Sequence, residues 1–157
     1  MTFSFRRLIK PALLLALVNS SAPFAGEVMV HDAWIRAMPP NARAVPVYLS
    51  LHNGSDSSIA LTAIETPLGR VELHQSIQQG EMMKMQRVER IEVAAHEMVK
   101  LAPMGYHGML LDMQAPPATG EQVALTLHFD NGETARVEAP VIAGQGKMMA
   151  SGHEHHH

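Results

Sequence analysis

The chain has 157 residues, enough for one domain with its own core and too few for two of ordinary size. Hydrophobic residues make up 46%, and a formal net charge of −3 with pI near 6.3 offers no basic face for nucleic acid. There is no cysteine, which excludes a disulfide framework, a thiolate zinc site and a blue-copper centre.

Residues 1–25 read as a secretory signal peptide. Arg6, Arg7 and Lys10 give a positive start, and the short apolar run Ala12–Val18 ends in small residues. That run is too short to span a bilayer. Cleavage after Ala25 leaves Pro23 at the third position before the cut, and cleavage after Ala22 places Pro23 directly behind it. On either reading the mature protein is exported, and an uncleaved anchor is the competing reading.

From Glu27 onward short segments alternate with the strand period and end at turn residues. The predicted strands are Glu27–Met38, Ala44–Asn53, Ser58–Thr66, Arg70–Ser76, Met82–Val93, a short piece from Met98, Tyr106–Met113, Glu121–Phe129 and Glu133–Ile142. Asp130-Asn131-Gly132 predicts a type I′ hairpin, because Asn-Gly readily takes two positive φ angles. No segment carries a helical apolar stripe with caps. Eight or nine strands at this spacing predict an all-β, two-sheet Greek-key β-sandwich over residues 27–142. Residues 143–157 depart from the pattern: Gly144 and Gly146 loosen the chain, and few apolar residues remain to bury. This flexible tail carries Met148, Met149, His153, His155, His156 and His157. A natural His/Met-rich metal tail and a cloning tag both account for it, and the interruption by Glu154 favours the natural tail.

Twelve methionines are many for this length, and most suit irregular gaps in a core. Between His74 and Met109, however, methionine and histidine concentrate together. His107 and Met109 lie two apart, so on a strand they share a face, and Gly105 and Gly108 beside them permit close approach of chain or ligand. In Arg70–Ser76, Val71 and Leu73 share one face while Glu72 and His74 share the other, so His74 points away from the core into an exposed site. A hairpin through Gln78-Gln79-Gly80 brings the next strand beside it. Met83 and Met85 of that strand share a face, and spacing alone leaves both as candidates. Imidazole with thioether is a neutral set that suits Cu(I), not Ca²⁺, Mg²⁺ or zinc.

His74, Met85, His107 and Met109, separated by ten, twenty-one and one residues, resemble the metal motif of the PCuAC family of periplasmic copper chaperones. Asp32–Pro39 (DAWIRAMP), Val71–His74 (VELH), Pro103–Leu110 (PMGYHGML) and Leu125–Glu133 (LTLHFDNGE) resemble that family too. The resemblance implies a cupredoxin-like sandwich that holds Cu(I) through those four residues, and it selects Met85 over Met83. It implies a non-enzymatic periplasmic carrier delivering copper towards cytochrome c oxidase assembly, with a Sco-type protein or an oxidase subunit as acceptor. Some members have a His/Met-rich extension that binds more copper, Cu(II) included, and this tail is similar. Gln75-Ser76 stand where many members carry a methionine. Copper storage, resistance or import is the alternative use of such a protein, and a copper oxidative enzyme is a third. A monomer is expected, with copper-linked association through the tails as the variant form.

Overall fold

The computed structural model describes residues 27–144. The expected signal peptide, Met148, Met149 and the tail histidines lie outside these residues. Ten strands form the described chain: β1 (Val28–Arg36), β2 (Val45–Asn53), β3 (Ile59–Thr66), β4 (Gly69–Gln79), β5 (Met82–Arg87), β6 (Ile91–Val93), β7 (Met98–Leu101), β8 (Tyr106–Leu111), β9 (Gln122–Phe129) and β10 (Thr134–Ile142). Their hydrogen-bonded order is β5-β4-β8-β7-β2-β1-β10-β9-β3-β6, with β8 also pairing β2 and β4 also pairing β3. Most neighbours are distant in sequence, as in a Greek key.

The sheet folds over on itself into a β-sandwich. The turn from β1 to the second layer is made at a bulge between His31 and Trp34, where Asp32 adopts a positive φ of 50°. Beyond the bulge Ile35 and Arg36 pair in parallel with Val141 and Ile142 of β10. The β3–β4 hairpin, through Glu65 opposite Arg70, ties the two layers together at one end.

Alternation fills the space between the layers. In β9, Val123, Leu125, Leu127 and Phe129 are buried and meet Ile35, Val47, Leu49, Leu61, Leu110 and Val141 in one core. A fully buried side chain of this kind contributes roughly 1.5–3 kcal/mol.

Two expectations need correction. The single strand Met82–Val93 is two, because the chain leaves β4 after Val88 donates to Leu73 and crosses to the opposite end of the sheet order. There β6 pairs β3, and Arg90 is anchored by Glu92 at 2.7 Å and Asp130 at 2.8 Å. The β9–β10 connection is also not type I′. Gly132 N–H donates to Phe129 O, only Gly132 has positive φ (86°), and Phe129 N–H then bonds Glu133 O. That is a type I turn closed by a left-handed glycine. Asp130 sets it, by accepting from Ala60 N–H at 2.9 Å.

Candidate metal centre

Strand register assembles the four residues singled out in the sequence. β4 and β8 pair with Leu73 opposite Gly108 and Val71 opposite Leu110, and these side chains face the core. The alternate pairs, His74 opposite His107 and Glu72 opposite Met109, therefore share the outer face. On the other side of β4, β5 places Arg87 opposite His74, Met85 opposite Ser76 and Met83 opposite Gln78. Directly opposed residues have Cβ atoms ~4.5–5.5 Å apart and diagonal ones ~7–8 Å. Met85 is thus the diagonal neighbour of His74, and Met83 lies one pair further away. The hairpin that does this turns at Gly80, whose φ of 66° suits the first central position of a type II′ turn.

The two imidazoles are held in complementary tautomers. Gly105 O accepts from His107 Nδ1 at 3.2 Å, so that nitrogen carries the proton and Nε2 keeps its lone pair. Glu72 Oε2 accepts from His74 Nε2 at 2.9 Å, which leaves the lone pair on Nδ1. Among the described residues, His107 Nε2 and His74 Nδ1 are both buried without a hydrogen-bond partner. The rings lie 5.8 Å apart, centroid to centroid, at 52°. Native proteins seldom leave buried polar atoms unpaired, and two on facing rings mark a place for an electrophile.

The site is more recessed than the sequence suggests. His107 is 4% exposed and Met109 9%, whereas Met85 is 56% exposed. The reason is that β8 is flanked on both sides: Met109 faces Glu72 on β4 and Pro46 on β2. Gly108 is required by packing, since a Cβ there meets Val47 Cβ at 3.1 Å and Val71 Cγ1 at 3.2 Å. Gly105 shows no such crowding; its role here is the carbonyl that orients His107.

Glu72 is the residue that sequence reasoning passed over. Its place on the face of His74 was visible in the strand period, but its partners were not. The His74 hydrogen bond, then Arg70, push its pKa down to about 2, and Arg87 approaches to 3.9 Å. It is a permanently ionised, charge-balanced acceptor for the ring. Burial pushes His107 below the ordinary histidine value, partly offset by the Gly105 carbonyl, with His74 adding a smaller lowering. The neutral, electron-donating form is the favoured one. Among the described residues no group of three or more His, Cys, Asp or Glu is arranged to hold a metal, so a metal at this face needs the thioethers.

Residues 28–141 match the family model described as lipoprotein LpqE-like. The chain belongs to the LpqE-like family. A member-like relative, named as a lipoprotein, Lxx21020 of Leifsonia xyli subsp. xyli, is 29% identical over 119 residues, 74% of this chain and 70% of that one. The apo solution structure of DR1885 from Deinococcus radiodurans is 30% identical, with TM-score 0.59 over 92% of this chain and 97% of that chain. A Cu(I) form of DR1885 aligns at TM-score 0.58 and 30% identity over 79% of this chain and 82% of that one. The copper-bound PCuAC domain from PmoF2 superposes with TM-score 0.66 over 76% of this chain and 95% of that domain, at 22% identity. This LpqE-like protein thus has the PCuAC fold.

Proposed function

We propose that this LpqE-like protein is a copper carrier that binds one Cu(I) through His74 Nδ1, Met85, His107 Nε2 and Met109. The observation that carries the reading is the pair of buried ring nitrogens on facing imidazoles, unpartnered among the described residues, each with its other nitrogen already committed. The thioether of Met109 lies beside them on the same face, and the exposed Met85 completes the set from the open rim. Soft neutral donors select Cu(I) and release it more readily than thiolates do. The Cu(I) form of the 30% identical DR1885 supports the choice of ion.

A buried floor with one exposed methionine suits transfer, because an acceptor can displace Met85 first without unfolding the sheet. Four protein donors leave no open position for a substrate, so the role is delivery and not catalysis. We assign the protein to the cell envelope, consistent with its N-terminal sequence, and the delivery to cytochrome c oxidase assembly through a Sco-type or oxidase-subunit acceptor. The tail residues Met148, Met149, His153, His155, His156 and His157 add a second store, with imidazoles for Cu(II) and thioethers for Cu(I).

The test is an anaerobic Cu(I) competition titration on a chain ending at Gly146, against the same chain carrying H107A/M109A. Loss of the tight site in the double variant is expected. Undiminished affinity sinks the proposal.

A further inference from the structure

A second row of soft donors crosses the outer face at the other end of β2. Met29 on β1 lies opposite His52 on β2, and His52 lies opposite Met98 on β7. The three therefore stand side by side on three adjacent strands, with the imidazole between two thioethers. Met29 is 46% and Met98 49% exposed, although Val28 beside Met29 is in the core and Val99 beside Met98 packs against it. Both methionines are thus outward-facing residues and not core filler. His31, two residues from Met29 and opposite Ser50, adds a second exposed imidazole on the same face.

Adjacent strands are ~4.8 Å apart, so His52 stands about midway between backbones that are ~10 Å apart. An unbranched methionine with three rotatable bonds can bring its sulfur over the ring from either side. Among the described residues, His52 Nδ1 is buried and has no hydrogen-bond partner, as are His74 Nδ1 and His107 Nε2. From Pro46, which faces Met109, to His52 is six residues along β2, or ~20 Å. The two donor sets cannot share one ion.

We propose that Met29, His52 and Met98 form a second Cu(I) site, with His31 as a further donor from the next row. The donors are neutral, as in the first site, which selects a soft monocation over zinc or a hard divalent ion. Both sulfurs sit at the surface, so this site exchanges its ion faster than the one floored by His107 and Met109. The protein then carries two Cu(I) ions on its folded domain, one held deep and one in ready exchange.

The experiment is an anaerobic Cu(I) titration of the full chain labelled with [methyl-¹³C]methionine and ¹⁵N-histidine, followed by NMR. The expected result is that the Met29 and Met98 methyls and the His52 ring signals move along one shared saturation curve, separate from that of His74 and His107. M29L/M98L keeps side-chain volume at two exposed positions. In that variant the His52 shift is expected to vanish while the His74 and His107 shifts persist. As a second check, H52N is expected to abolish the shifts of both methyls. Static Met29 and Met98 methyls throughout Cu(I) uptake overturn the proposal. So does an unaltered His52 response in M29L/M98L, which marks the histidine as an independent surface binder. Failure of the first site shows only in the His74 and His107 signals, so the two readings fail separately.

Discussion

Removing the Glu72 carboxylate tests whether the tautomer of His74 is built in for metal binding. In E72A the 2.9 Å acceptor for His74 Nε2 is gone, and the ring is free to turn or to move its proton to Nδ1. The core is not involved, because Glu72 lies on the outer face opposite Met109. Partners that orient a metal-binding histidine are typically worth 10–100-fold in affinity, so E72A should weaken Cu(I) binding by about that factor. E72Q keeps a neutral oxygen acceptor at the same place, so its loss should be about tenfold or less. The assay is competition with a chromogenic Cu(I) chelator under anaerobic conditions, on a chain ending at Gly146 so that the tail does not contribute. Wild-type affinity in E72A refutes the assignment of Nδ1 as the donor. Equal losses in E72A and E72Q refute the orienting role and leave charge as the cause.

M85L should weaken Cu(I) binding more than M83L in the same assay, because Met85 is diagonal to His74 while Met83 is one pair further out; the reverse order refutes the register assignment. G108A drives a methyl into Val47 and Val71 at 3.1 and 3.2 Å and should cost about 1–3 kcal/mol. For a domain of this size that lowers the melting temperature by roughly 4–12 °C, and an unchanged melt contradicts the close packing of β8. His107 has a folded-state pKa below the ordinary 6.5, so on acidification through that value the unfolded chain takes up a proton before the folded one. Its contribution is intact above pH 6.5 and is lost as pH falls towards the depressed folded pKa. Thermal melts of the metal-free protein should show this loss, H107Q should flatten it, and an identical pH slope in H107Q refutes it. Ending the chain at Gly146 should reduce the number of Cu(II) ions bound, as counted by titration, and an unchanged count removes the tail from the account.

Much of the fold is local information. The alternation in Val123–Phe129 and the turn residues around the strands mark most elements within a residue or two, although β4 runs three residues past the expected end at Ser76, to Gln79. His107 and Met109 could be assigned to one face from their spacing alone. What alternation does not encode is pairing between distant strands. That β8 lies between β4 and β2 is a tertiary fact, and it explains why outward residues on β8 are buried and why Tyr106–Leu111 shows a buried run instead of alternation. The break after Val88 has no glycine or proline to announce it; an ion pair from Arg90 to Asp130, forty residues away, holds it. The row Met29, His52, Met98 spans seventy residues of sequence and exists only through the register of three strands.

The central claim is that one Cu(I) ion sits between the imidazoles of His74 and His107 with the sulfurs of Met109 and Met85. X-ray absorption at the copper edge, on a chain ending at Gly146 and carrying M29L/M98L, loaded with one equivalent of Cu(I), reads that donor set directly. The account predicts a shell of mixed imidazole nitrogen and sulfur, with the sulfur scattering halved in M109L and the imidazole scattering halved in H74A. A shell of nitrogen and oxygen without sulfur, or a spectrum unaltered by either change, contradicts it.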